Sequence, residues 1–169
     1  MKTQAMNTHA TNIPQKVGHL ERRRIEGRVL VPFIAACREK FGEAATRELV
    51  AAFIKQASVA DGAVTARHFG NDMAGLRRVA QEVWGGPGGG IDIDLLAESE
   101  DRLEFNVTRC GYAQLYKEWG LVDLGFELQC SRDAPMLEGF NDAIELTRTQ
   151  TIMQGAACCD FRYRRKRAG

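Results

Sequence analysis

Cysteine, arginine and aspartate recur together along the second half of the chain, as Arg109–Cys110, Cys130 followed by Asp133, Arg148, and Cys159–Asp160. A thiolate is a strong nucleophile, a guanidinium grips a carboxylate through two parallel N–H donors, and an aspartate takes a proton or orients water. Gathered in one pocket, residues of these types suit attack on an electrophilic carbon of a small carboxylated molecule. The same residues also have ordinary structural uses. A buried cysteine behaves as a small hydrophobe, and an aspartate ahead of a helix caps it. For Cys37, within a helical pattern, and Cys158, on the opposite strand phase from Cys159, the structural use is the expected one.

The elements that must position these residues show in the hydrophobic periodicity. From Ile91 the period is two: Ile91, Ile93 and Leu95 alternate with Asp92 and Asp94, and after a polar turn Leu103, Phe105 and Val107 alternate with Glu104, Asn106 and Thr108. This predicts a hairpin. Helices are predicted over about 111–119, 121–130 and 133–140, and a second alternating pair over 144–152 and 157–163. Arg109 follows the apolar phase of the second strand and Arg148 that of the third, so two arginines would end two core-facing stripes. That predicts either a clamp for a substrate carboxylate or internal ion pairs with Glu104, Asp133 or Asp160. Cys110 sits at a strand-to-helix junction, where free amides, the helix dipole and Arg109 are expected to lower its thiol pKa. Cys159 shares a strand face with Phe161 and Tyr163, and a turn near Met153 and Gln154 would bring it close to Arg148. The geometry demanded is one pocket at one end of the sheet.

Upstream, the chain reads as helical. A region from about Val17 to Ser58 is predicted to be interrupted near Gly27 and Pro32, with the second of two helices starting after Gly42. A further helix over 71–84, with Asn71 as a possible N-cap, ends at the glycine-rich run 85–90, which reads as a flexible connector. A phosphate loop would come after a strand and before a helix, the reverse of this order. Together these elements predict an α+β fold, a helical N-terminal half packed on a mostly antiparallel sheet of about four strands, as a single domain over 17–169 preceded by a flexible arm over 1–16.

Composition narrows the partners. With 23 basic against 22 acidic residues there is no global field to recruit nucleic acid or an anionic membrane. The basic runs at Arg22–Arg24 and Arg162–Arg167 read as solvated surface or an oligomer contact, so a homo-oligomer is possible. The first twenty residues are polar, unlike a secretory signal, and no membrane span is expected, so a cytoplasmic protein with five reduced cysteines is predicted. His9, His19 and His68 all lie away from the cysteine-bearing stretch, so no cysteine–histidine dyad is read. Cys110, Cys130, Cys159 and Asp133 could ligate zinc, but separations of 20 and 29 residues match no standard pattern. No metal and no cofactor are expected.

Between Phe105 and Tyr163 lie Asn-Val-Thr-Arg-Cys at 106–110, Tyr112, Cys130 with Asp133, Leu-Thr-Arg-Thr-Gln-Thr at 146–151, Gly155, and Cys-Asp-Phe-Arg-Tyr at 159–163. In this order and spacing the stretch resembles the L-2-amino-thiazoline-4-carboxylic acid hydrolase family; the helical first half resembles it only in general character. The resemblance implies hydrolytic opening of a small carboxylated cyclic amidine, the thiazoline ring being cut to a carbamoyl cysteine. On this reading Cys110, Cys159, Asp133 and Cys130 are the catalytic candidates. Arg109, Arg148, Tyr112 and Asn106 are the substrate-binding candidates. A non-enzymatic small-molecule sensor is the alternative from another functional class.

Overall fold

A computed structural model describes residues 17–167; the arm expected over 1–16 lies outside the described residues. Helix α1, His19–Phe41, runs through Gly27 and Pro32 without the expected break, and α2, Glu43–Phe69, follows after Gly42. Gly42 stops α1 because its φ of +83° is open to glycine at little cost. Gly27 serves close approach instead: a Cβ there would lie 2.9 Å from the Trp119 ring. Pro32 sits on the exposed side of α1, where its ring meets solvent.

Helix α3, Met73–Arg78, is capped by Asp72, whose carboxylate accepts from Gly75 N at 2.7 Å, rather than by Asn71. A π-helical turn, Val79–Trp84, carries it into the glycine run. That run is a packed junction and not a flexible connector. Gly88 O accepts from Leu20 N at 3.0 Å, and Gly90 O accepts from Gly111 N at 2.7 Å, so the loop ties the start of α1 to the end of the second strand.

Strands β1, Ile91–Glu98, and β2, Arg102–Cys110, form the expected hairpin. Three short helices follow, α4 (Gly111–Glu118), α5 (Val122–Leu128) and α6 (Asp133–Phe140), then β3, Ile144–Thr147, and β4, Cys159–Arg165. The sheet order is β1-β2-β4-β3, with each neighbouring pair antiparallel. The fold is thus α+β, with N-terminal helices and a four-stranded antiparallel sheet. β3 is shorter than the predicted 144–152, because Asp160 draws residues 149 and 150 out of the ladder by accepting from both of their amides at 2.9 Å.

Two cores meet. One lies between the sheet and the helices α3 and α6, with Leu103, Phe105, Val107, Phe161 and Tyr163 against Leu76, Leu137 and Phe140. The other joins Ile34, Val50 and Ile54 of α1 and α2 to Leu115, Tyr116, Leu124 and Leu128. Cys110 and Ile152 touch both, which places the end of β2 on the seam. Helices α2 and α6 approach backbone to backbone, since a Cβ on Gly62 would overlap Met136 O and one on Gly139 would overlap Val59 O. Contrary to the expectation of no spanning stretch, α2 is long and apolar enough for a bilayer on length and composition, an 18-residue window of it reaching a mean hydropathy of 1.2. Its alanines raise that value, while its buried Val50, Ile54, Ser58 and Gly62 face the protein.

Candidate functional site

The alternation of β2 breaks near its end. Asp92 faces Arg109 and Ile93 faces Val107, so the hairpin carries one extra residue on β2 between those pairs. Such a bulge inverts the phase beyond it. Cys110, and not Arg109, therefore returns to the core side. Arg109 points to the surface, where Nε and Nη2 donate to the Asp92 carboxylate at 2.8 and 2.7 Å. The expected clamp of Arg109 with Arg148 is not formed.

Asn106 likewise lies away from the thiols. It occupies the alternate phase of β2, opposite Asp160, and its Oδ1 accepts from Arg162 Nη2 at 2.9 Å.

The remaining candidates converge. β4 pairs antiparallel with both β2 and β3, so the ends of β2 and β3 and the start of β4 meet at one edge of the fold. The charges of Asp133 and Arg148 act on the Cys130 thiol, and Cys110 and Cys159 lie within electrostatic reach of it. Arg148 lies over the Phe161 ring, with its guanidinium carbon 5.5 Å from the centroid. It is ion-paired with Asp133, and its Nη2 donates to Cys130 O at 3.2 Å. Asp133 is thus the internal partner that Arg148 takes. Asp160, by contrast, closes the β3–β4 connection, accepting from Thr149 Oγ1 at 2.7 Å. Burial raises its carboxyl, but hydrogen bonds from Thr149 and Gln150 outweigh that and hold it below the usual value.

Electrostatics distinguish the thiols. Cys110 caps α4, its Sγ accepting from Ala113 N at 3.4 Å. Burial nevertheless lifts its pKa above the ordinary value, with the amides of Ala113 and Tyr112 pulling the other way. The expected net lowering does not occur, because desolvation outweighs the helix end. Burial and the neighbouring Asp133 push Cys130 far up. Cys159 accepts from Ile152 N at 3.2 Å and is pushed to about 11, mainly by burial. At neutral pH all three are thiols, so nucleophilic use requires a base. Burial pushes Asp133 up to about 6 against the opposing pull of Arg148, which leaves a carboxylate poised to exchange protons near neutrality.

Four polar residues at or beside this site escape sequence reasoning. Tyr163 Oη is fully buried with no hydrogen-bond partner among the described residues, and it senses Asp133 and Arg148. Its place on the apolar phase hides it as core. Tyr112 Oη donates to Gly89 O, so the His19 Nδ1 contact of 2.6 Å requires the Nδ1–H tautomer as donor. Burial and then Arg23 lower the His19 pKa to about 3, so the ring is neutral. Arg23, which is buried, and Arg132, which is half-buried, both act on Asp133. Nothing in the spacing relates His19 or Arg23 to residues ninety positions on; the packing of α1 against the glycine run and α4 does. Among the described residues, no group of three His, Cys, Asp or Glu side chains is arranged to hold a metal.

A model of the L-2-amino-thiazoline-4-carboxylic acid hydrolase family matches residues 22–163, which include every converging residue except His19. The chain belongs to this family. The match extends the resemblance from the C-terminal stretch through α1 and α2 of this hydrolase-family member. No curated protein matches the chain. Among solved structures it is similar to trafficking protein particle complex subunit 3 from Naegleria fowleri, a crystal structure titled as covalently bound to palmitic acid. The identity is 11%, over 85% of this chain and 97% of that one, with a TM-score of 0.48.

Proposed function

We propose that the protein opens a small carboxylated cyclic amidine, of the 2-amino-thiazoline-4-carboxylate kind, by hydrolysis of a ring carbon–nitrogen bond. The observation that carries this reading is the place of a helix-capping thiol, Cys110, at the seam of the two cores and within electrostatic reach of Asp133, a carboxylate whose pKa burial raises to about 6. Asp133 takes the Cys110 proton as the sulfur bonds to the ring carbon between sulfur and nitrogen. The carbon–nitrogen bond breaks, and the proton passes to the departing ring nitrogen. Water then adds to the same carbon, giving a proton back to Asp133, and the Cys110 sulfur leaves and recovers it. The product is a carbamoyl cysteine, the substrate plus one water. Arg148 orients Asp133 through the ion pair, and Tyr163 Oη supplies a hydroxyl beside it.

Intact-mass spectrometry of acid-quenched turnover tests this. An adduct of substrate mass on wild type, absent from Cys110→Ala together with activity, is the expected result. Full activity in Cys110→Ala would refute the covalent step and assign the chemistry to water activated by Asp133.

A further inference from the structure

Two guanidiniums take no part in the reaction above. Arg23, on α1, is 6% exposed; its Nη1 donates to Glu26 at 2.7 Å and its Nη2 to Asp61 at 3.1 Å. Arg132 keeps 11% of its side chain exposed, and its Nε donates to Leu128 O at 2.7 Å. Its nearest carboxylate oxygen is Asp61 Oδ2 at 3.8 Å, which is an ion pair but too long for a hydrogen bond. The terminal nitrogens of Arg132 thus donate to no group among the described residues. Neither of these nitrogens is among the fully buried polar atoms left without a partner, so solvent reaches that end of the guanidinium and a ligand can as well.

One carboxylate, Asp61, is shared between the two cations, and its side chain is about half exposed. It can swing to solvent, whereas the guanidiniums cannot. Burial and the adjacent positive charge of Arg23 push Arg132 down to about 10, consistent with a cation short of opposite charge.

We propose that Arg132, assisted by Arg23, binds the carboxylate of the ring substrate, which replaces Asp61 between them. The proposal rests on the hydrolytic reading and supplies the clamp that Arg109 does not form. Arg148 is already committed to Asp133 and Cys130 O. Arg132 directly precedes Asp133 at the start of α6, and the Asp133 carboxyl senses both Arg132 and Arg23. Tyr112 lies within reach of the charges of Arg23, Cys110 and Asp133 together. A substrate carboxylate held on the terminal nitrogens of Arg132 is thereby anchored one residue from Asp133 along the chain. Two parallel N–H donors match a planar carboxylate, and a ring lacking that group gains nothing there.

The test compares wild type, Arg132→Gln and Arg132→Lys on 2-amino-thiazoline-4-carboxylate and on 2-amino-thiazoline. Arg132→Gln is expected to raise KM for the carboxylated ring about 10- to 100-fold. Its kcat should stay within about threefold, with little change on the bare ring. Arg132→Lys should keep part of the preference, and Arg23→Lys provides a second variant should Arg132→Gln fail to fold. An unchanged KM in folded Arg132 variants overturns the proposal. If wild type turns over neither ring, the hydrolytic reading fails by itself and calorimetric titration decides the site. Binding of the carboxylated ring that is weakened in Arg132→Lys supports it, and equal or absent binding overturns it.

Discussion

Asp133 gives a quantitative handle on the site. Its carboxyl is raised from 3.8 to about 6 in the folded chain, chiefly by burial. The fold therefore prefers the protonated form. Below the unfolded value both states hold the proton and the group contributes nothing. As pH rises through the window from 3.8 to about 6, the unfolded chain releases its proton first and the native state loses stability, until the loss levels off above about 6. That displacement corresponds to about 3 kcal/mol. In the double variant Asp133→Asn, Arg148→Met the titrating group is gone without leaving a buried guanidinium unpaired. Relative to wild type, the double variant should gain about 3 kcal/mol between pH 4 and pH 7, or about 10 °C in melting temperature for a chain of this size. Guanidinium melts followed by the fluorescence of Trp84 and Trp119 at half-unit pH steps measure the difference. Wild-type hydrolysis should rise over the upper part of the same window, because only the ionised carboxylate serves as base. Stability curves for the two proteins that stay parallel from pH 4 to pH 7 would refute the reasoning.

Gly139→Ala places a methyl against Val59 O, where helix backbones already touch. It should cost about 1–3 kcal/mol or more in a urea titration and lower activity, since α6 carries Asp133 in its first turn. Arg109→Ala removes only an exposed, solvent-screened pair with Asp92, and KM for the carboxylated ring should be unchanged in steady-state assays.

The hairpin, α6 and the helical character of the first half were legible because periodicity is local: Leu103, Phe105 and Val107 read as one face and pack as one face. Junction position and strand phase placed Cys110, Arg148 and Cys159 at one end of the sheet together with Arg109, which the bulge turns away, whereas Cys130 and Asp133 arrive there on helical segments that no strand phase records. Arg109 was misread because a bulge leaves no trace in the alternation of a single strand; it is set by the partner's count of residues. Gly27 and Pro32 looked like breaks on intrinsic preference, which tertiary contact with Trp119 overrides at Gly27. The glycine run looked like slack chain, and its order derives from backbone contacts with Gly18 and Leu20, seventy positions earlier, that no local pattern records.

The bulge before Cys110 makes the chemistry of this site depend on counting. Inserting one residue into β1 between Asp92 and Ile93 would give residue 108 a partner, restore simple alternation along β2 and deliver the Arg109 guanidinium to the seam in place of the Cys110 thiol, with every amino acid that performs chemistry still present in the chain. A neutral, polarisable atom at the junction of two apolar cores would become a fixed cation facing them both. Insertions and deletions in this hairpin are therefore not the tolerated length changes of an ordinary surface turn. They act as a reading-frame for side chains, and a chain that keeps the motif but carries one more residue in β1 opposite the bulge would present a different functional group to the same space.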